Sequence, residues 1–401
     1  MSDHTTAVPA PAPELPVYVI GAGPGGLAVA AALRERGVRA VVLEKSDAVG
    51  ASWRGHYTRL HLHTTRRWSS LPGLRMPRSF GRWVPRDKVV EYLDTYARFH
   101  TIEVMTGIEV SRVERLPGES AAGNGTAGES AGDGVADQAS DGASWLLRAT
   151  GGRELRARAV VVATGYNHTP RLPRWPGVDS YTGELLHARA YRDAARHRGK
   201  DVLVVGVGNT GAEIAVDLVE GGAARVRLAI RTPPHILRRS TLGWPAQASG
   251  ILCRRLPAFL VDRVARGLVL RAPGIPRPEK GLATRAREGA IPVQDVGLVR
   301  AVRSGRVEPV AAVESFDGGE VVLADGSRVA PDVVVAATGY ERGLAPLVGH
   351  LGILTPEGRP PRRNPAAPGL YFTGYTTPLS GMLRELARDA PKIAKSLARR
   401  L

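Results

Sequence analysis

The chain is patterned as short apolar runs that end at glycine. Val17-Tyr18-Val19-Ile20 runs straight into Gly21-Ala22-Gly23-Pro24-Gly25-Gly26. Residues 27–36 then take helical spacing, stopped by Gly37, and an apolar strand over 38–43 ends in Glu44. The same order recurs later: a strand over 201–205, then Gly206-Val207-Gly208-Asn209-Thr210-Gly211, a helix over 212–220 and a strand over 224–230 ending at Arg231. Two further apolar runs share one ending. Residues 159–162 lead into Ala163-Thr164-Gly165-Tyr166, and residues 333–336 into Ala337-Thr338-Gly339-Tyr340. This repeat implies that the chain leaves one domain and later returns to it. Residues 85–100 read as a helix, with Val89, Leu93 and Tyr96 on one face. Residues 106–115 and 144–150 read as strands of a small meander, 369–375 as a strand closed by glycine, and 380–398 as a last helix.

Alternating strands and helices of this length predict an α/β fold with parallel sheets. The expected architecture is two nested dinucleotide-binding domains, Rossmann-like and of the glutathione-reductase type, the second inserted in the first. The expected divisions are a disordered tail over 1–15, the first domain over 16–170, the inserted domain over 171–309 and the rest of the first domain over 310–401. Residues 117–142 are almost wholly Gly, Ala, Ser, Asp and Glu. They hold too little apolar surface to order themselves and are expected to be a disordered insertion.

The glycine spacing carries the chemistry. In GxGxxG the first glycine permits a tight turn, the second lets backbone approach a pyrophosphate, and the third lets helix and strand pack closely. The helix start adds unpaired N–H groups and positive potential. A lone GxGxxG means little in a chain with 47 glycines. Here strand, helix, second strand and acid all fall in place, with Glu44 set 23 residues after Gly21 to accept the ribose hydroxyls. In the second unit Arg231 stands where an acid would favour NAD, so a 2′-phosphate and NADPH are expected, with Thr232 adding a hydroxyl.

Composition narrows this further. The single cysteine, Cys253, excludes an intrachain disulfide and a CxxC redox pair. Residues 1–14 lack the basic and apolar regions of a signal peptide, and no apolar run approaches the ~20 residues of a membrane span. The protein is therefore expected to be soluble and cytoplasmic. Net charge is +17, and residues 231–306 hold 15 Arg or Lys against 4 Asp or Glu. No nucleic-acid motif accompanies that surplus, so a solvated basic face or steering of a polyanionic cofactor is expected in its place. His56, His61 and His63 match no metal-ligand spacing, and no metal is expected. Residues 257–270 read as a helix with Leu260, Val261, Val264 and Leu268 on one face and arginines around it. It either packs on the inserted domain or covers a substrate entrance and touches an anionic membrane surface.

These motifs together resemble the flavin-containing monooxygenases. Tyr181-x-Gly183-x3-His187-x3-Tyr191-Arg192 also fits that family's FxGxxxHxxx(Y/F)(K/R) signature, with Tyr for Phe. Arg59-Leu60-His61-Leu62-His63, Leu256-Pro257 with Leu260 to Arg263, Pro292 to Gly297 and Gly369-Leu370-Tyr371 are similar to the plant YUCCA-type indole-3-pyruvate monooxygenases. The resemblance implies FAD on Gly21, Gly23, Gly26 and Glu44, with flavin-side contacts at Trp53, His61 and His63 and a lining of Thr164 and Gly165. It implies NADPH on Gly206, Gly208, Asn209, Gly211 and Arg231. It also implies hydride transfer to the flavin, capture of dioxygen as a C4a-(hydro)peroxyflavin and oxygenation of a small substrate, at a carbonyl or 2-keto acid or at nitrogen or sulfur. No side chain is assigned a catalytic role, and His187 is expected to orient a linker. Departures from the plant pattern at 64–70 and 376–385 leave the substrate open. A quinone-type reductase on the same fold and a non-catalytic flavoprotein scaffold or nucleic-acid binder using the basic face are the rival readings.

Overall fold

The structure is a computed structural model that describes residues 15–117, 144–253 and 256–401. The expected tail at 1–15 and insertion at 117–142 lie outside them, residues 15 and 117 excepted.

Two five-stranded parallel sheets carry the chain. The first runs Leu370–Phe372, Ala159–Val162, Val17–Ile20, Ala40–Leu43, Glu103–Met105 across its width. The second runs Glu184–His187, Val333–Ala336, Asp201–Val205, Arg225–Ala229, Glu308–Val310. The two orders correspond strand for strand. In each, the strand before the glycine turn is central, with the strand ending in Ala-Thr-Gly-Tyr on one side and the βαβ partner on the other. All of these pairs are parallel, and the strands are apolar because both faces are covered.

The tetrapeptide repeat therefore has a different meaning from the expected one. Residues 333–336 pair with 202–205 in the second sheet, so the repeat marks the same structural position in two similar units. The expected division at 309/310 cuts through this second unit. Phe316, Val321 and Leu323, from the antiparallel meander that follows, pack on Leu203, Val205 and Val334. The chain rejoins the first sheet only at Leu370–Phe372, with Leu344, Leu347 and Val348 already in the first core.

Both connections between the sheets follow an Ala-Thr-Gly-Tyr end. They pair with each other, Thr169–Pro170 antiparallel to Tyr340–Glu341. His187 fastens them. Its Nδ1 accepts the Arg189 N–H at 3.1 Å, which leaves Nε2–H to donate to the Gly339 carbonyl at 3.0 Å.

The first glycine-turn helix, Pro24–Arg34, begins earlier than its apolar spacing implies, because Pro24 fits the first turn and two glycines lie inside the helix. It is buried along nearly its whole length between Arg86–Phe99 and Met382–Ala398. The expected helix at 257–270 is shorter, Ala258–Ala265, and its orientation is the reverse of a packed amphipathic helix. Asp262 turns inward, accepting the Ala283 N–H and the Thr284 hydroxyl at the start of helix Leu282–Arg287. Phe259, Leu260, Val264 and Leu268 face solvent, so packing of this face on the inserted domain is not found. Among the described residues no helix is long and apolar enough to cross a membrane.

Candidate functional site: two glycine cradles and the seam between them

Each sheet ends at its carboxyl edge in the same cradle. Gly21 and Gly206 both take φ +105°, and a Cβ there would meet the carbonyl oxygens of Ala163 and Ala337 at 2.8 and 2.7 Å. A Cβ on Gly26 or Gly211 would lie 1.9 Å from the carbonyl oxygen of Gly21 or Gly206. These four glycines allow backbone to touch backbone. Gly23 and Gly208 differ, since nothing lies within 4 Å of a Cβ built on either. Both stand immediately before a helix, and the space that a Cβ would enter there is open. That space fits a pyrophosphate in each cradle.

The flanking residues are placed as follows. Glu44 is buried against the first turn, its Oε2 accepting the Ala22 N–H at 2.7 Å and its Oε1 the Ser46 N–H at 3.0 Å. Arg231 and Thr232 lie exposed at the end of the strand Arg225–Ala229, beside the second cradle. Asn209 starts the second helix, but its amide is engaged: Nδ2 donates to the Pro292 carbonyl and Oδ1 accepts the Gln294 N–H. It staples the strand Val293–Asp295 beside the cradle. Thr164 meets the Tyr375 hydroxyl at 2.7 Å, and Gly165, at φ +78°, has open space in front of it.

The segment from Trp53 to Thr65 fills the seam between the sheets. Trp53 packs against both main cores. His61 turns its Nδ1 to the Arg59 carbonyl at 2.7 Å. His63 brings Nε2 within 3.2 Å of Glu213 Oε1, and its Nδ1 is buried without a partner. His56 and His63 are both pushed down to about 4, first by burial and then by neighbouring arginines, so both rings are neutral.

The seam also holds residues that sequence reasoning missed. On the second cradle helix, Glu213, Asp217 and Glu220 form an acidic stripe at i, i+4 and i+7. Tyr57 donates to Glu213 at 2.7 Å, Tyr191 donates to Asp217 at 2.7 Å, and Arg59 pairs with Glu220 and Asp217. The signal was a glutamate two residues after Gly211, followed at i+4 and i+7 by Asp217 and Glu220 on the same helix face. Gln247 is buried too. Its amide oxygen accepts the Thr65 N–H at 2.9 Å, and its Nε2 donates to the Ser380 carbonyl at 2.7 Å. No sequence pattern marked Gln247.

Two parallel sheets, each closed by an open glycine cradle and joined through a buried seam, make a fold of two dinucleotide-binding-type units. The family model for flavin-binding monooxygenase-like proteins matches residues 15–347. An indole-3-pyruvate monooxygenase, YUCCA1 of Oryza sativa subsp. japonica, is 34% identical over 393 residues, covering 94% of this chain and 90% of its own. Among solved structures, a mutant of the flavin monooxygenase from Stenotrophomonas maltophilia aligns with a TM-score of 0.70 at 25% identity, over 96% of this chain and 98% of that one. The bacillithiol disulfide reductase of Bacillus cereus aligns with a TM-score of 0.65 at 19% identity, over 97% of this chain and 100% of that one, and shares the fold alone. The chain belongs to the flavin-binding monooxygenase-like family. It is a flavin-dependent monooxygenase that uses FAD and NADPH to oxygenate a small substrate.

The cradle geometry separates two kinds of glycine. Gly23→Val is expected to leave the fold intact and to abolish most FAD binding, because its side chain would meet no protein atom and would fill the open space before the helix. Gly26→Val is expected to destabilise the protein by about 1–3 kcal/mol or more through overpacking. Flavin absorbance and thermal melting of the two variants check the pair; equal stability losses would contradict the assignment.

Proposed function

We propose that this enzyme oxygenates a 2-keto acid or related carbonyl compound, with FAD in the first cradle and NADPH in the second. The observation that carries the two-cofactor arrangement is the pair of open spaces at Gly23 and Gly208, each aimed at by a helix start. Gly21, Gly23, Gly26 and Glu44 would hold FAD, with Trp53, His61, His63, Thr164 and Gly165 beside it. Gly206, Gly208, Gly211, Arg231 and Thr232 would hold NADPH, and Asn209 would keep the second cradle in shape. Bound FAD and NADPH supply the redox chemistry, hydride transfer to the flavin and activation of dioxygen. The chain's part is to orient both cofactors and exclude water from the seam, where Tyr57, Tyr191 and Trp53 fill the space.

The carbonyl class is supported by the rice relative, whose name gives indole-3-pyruvate as its substrate. The departures from the plant pattern meet at one place. A Cβ on Gly381 would lie 2.5 Å from Thr64 Cγ2 and 2.8 Å from Gln247 Nε2, so stretches 64–70 and 376–385 are in contact and Gln247 ties them. That cluster would shape the substrate pocket, so the relative's indole side chain is not carried over to this chain. Purified protein given labelled dioxygen and a panel of 2-keto acids, ketones, amines and sulfides is expected to put label into a keto-acid product with matched NADPH consumption. NADPH consumption with no label in any product would support the reductase reading instead.

Preference for NADPH rests on Arg231. Arg231→Ala is expected to raise the KM for NADPH roughly ten- to a hundredfold, the loss of one charge-assisted phosphate contact, while leaving NADH nearly unchanged. Equal losses with both coenzymes would make Arg231 structural.

The exposed apolar residues of 242–268 support reversible contact with an anionic lipid surface. Leu242, Trp244, Leu252, Leu256, Phe259, Leu260, Val264 and Leu268 are all exposed there, with Arg263, Arg266 and Arg271 exposed among them. Co-sedimentation with anionic vesicles at low salt, weakened at high salt and absent with neutral vesicles, is the expected result. No binding to anionic vesicles at low salt would remove the idea.

A further inference from the structure

Part of the basic surplus of residues 231–306 collects at one place in the fold. A cavity of about 670 Å³ opens beside helix Leu298–Arg303, walled by Arg238, Arg239, Arg300 and Arg303 together with Ser240. The arginines come from two elements. Arg238 ends the strand Ile236–Arg238, and Arg239 follows it. Arg300 and Arg303 stand at i and i+3, so one helical face presents both. The strand Val293–Asp295 leads into that helix, and its parallel pairing with Ile236–Arg238 brings the two elements together.

This cluster lacks the carboxylates that would balance it. Many arginines elsewhere are paired: Arg54 with Asp94 at 2.6 Å, Arg225 with Glu308 at 2.6 Å, Arg328 with Asp317 and Glu320 at 2.9 and 2.7 Å. Among the described residues Arg238, Arg239 and Arg303 make no ion pair. Arg300 comes no closer than 3.9 Å to Glu220, which Arg59 already holds. Asp295 is the one acid in the wall, and its Oδ1 accepts the Gly297 N–H at 3.2 Å and the Val299 N–H at 3.1 Å. Two of the arginines are also fastened. Arg303 donates to the Arg271 carbonyl at 3.0 Å, and Arg239 donates to the Leu62 carbonyl and lies over the Trp83 ring at 4.1 Å. Four guanidiniums against one carboxylate around a concave wall focus positive potential into the cavity.

We propose that this cavity binds a phosphate monoester, at a site separate from both glycine cradles. Guanidinium forks match phosphate oxygens two at a time, and the Ser240 hydroxyl adds a neutral donor. The volume is that of a small-molecule pocket, so the phosphate enters with an organic part attached. The second cradle opens at Gly208, at the start of helix Asn209–Glu220. Arg300 faces Glu220 at the other end of that helix, roughly 16 Å away at 1.5 Å per residue. Arg231 and Thr232 take no part in the wall. Two sources share this chemistry, a soluble phosphorylated metabolite and the headgroup of phosphatidate in a membrane. The second has a structural link: Leu270 lines the cavity, and Leu268, two residues before it, belongs to the exposed apolar face. The lipid source rests on the lipid contact proposed above; the soluble source does not.

The test uses the full chain with its flavin and two probes that carry the same group, glycerol 3-phosphate in solution and phosphatidate in vesicles. Glycerol 3-phosphate is titrated calorimetrically at low salt into wild type, Arg238→Ala and Arg300→Ala. Neither side chain has a close protein partner, so both variants are expected to melt as wild type does. Each substitution is expected to weaken binding roughly tenfold, the loss of one charge-assisted contact, and to leave the KM for NADPH unchanged. Saturating NADP+ is expected not to displace the probe. Displacement by NADP+, or an equal weakening by Arg231→Ala, would assign the phosphate to the coenzyme and overturn the separate site. In the lipid arm, wild type is expected to sediment more with phosphatidate vesicles than with phosphatidylglycerol vesicles of equal surface charge, and Arg238→Ala equally with both. Either probe bound by wild type and lost in the variants supports the site. Wild type that binds neither probe, or variants that bind as wild type does, overturns it. Failure on both kinds of vesicle, with glycerol 3-phosphate still bound, counts against the lipid contact and not against the site.

Discussion

The structure depends on a contact in which one strand end presses its carbonyl against the turn of its neighbour. Ala163 does this to Gly21 in the first sheet, and Ala337 to Gly206 in the second. No side chain fits between them, and at φ +105° the glycine backbone is one that other residues rarely adopt. The turn places the helix start at the carboxyl edge, and the third glycine lets that helix lie directly on the turn. The open space in front of Gly23 or Gly208 follows from this tight packing behind it. Two sheets built on the same contact share strand order and the position of that open space.

A second set of contacts fixes the sheets relative to each other. The connectors pair as short strands, and His187 holds the Gly339 carbonyl at their crossing. On the other side, the acidic stripe of the second cradle helix takes the hydroxyls of Tyr57 and Tyr191 and the guanidinium of Arg59. Neutral donors and one surface-facing arginine hold this seam without a fully buried ion pair, which would cost more desolvation than it returns. The exception is Glu213, a buried carboxyl whose direct neighbours among the described residues are Tyr57 and His63 and no lysine or arginine.

Segment 242–268 shows how local satisfaction overrides amphipathic pattern. The N–H groups at the start of helix Leu282–Arg287 need an acceptor, and Asp262 supplies it. Turning Asp262 inward turns Leu260 and Val264 outward. The inner end of the same region, through Gln247, touches Thr65 and Ser380. The outward apolar face and the Gln247 contacts to Thr65 and Ser380 thus belong to one stretch of chain.

The sequence by itself determined the local units. Glycine spacing announced both cradles, because only glycine tolerates their backbone contacts, and Glu44 and Arg231 were legible as the residues that follow a second strand. The four-residue apolar runs were legible as buried strands for the same reason. Strand order was another matter. The repeat of Ala-Thr-Gly-Tyr looked like a return to one domain, and only the pairing of 333–336 with 202–205 showed that it belongs to the second sheet. Parallel partners are chosen by the packing of whole layers, which no single strand encodes. The seam was equally invisible. Tyr57 and Glu213 are 156 residues apart, and Thr65 and Gln247 are 182 apart. A hydroxyl, a carboxylate or an amide reads in sequence as a group facing water until the fold removes that water and leaves it one partner. That removal of water, which only the tertiary structure decides, pushes the Glu213 carboxyl up to about 7.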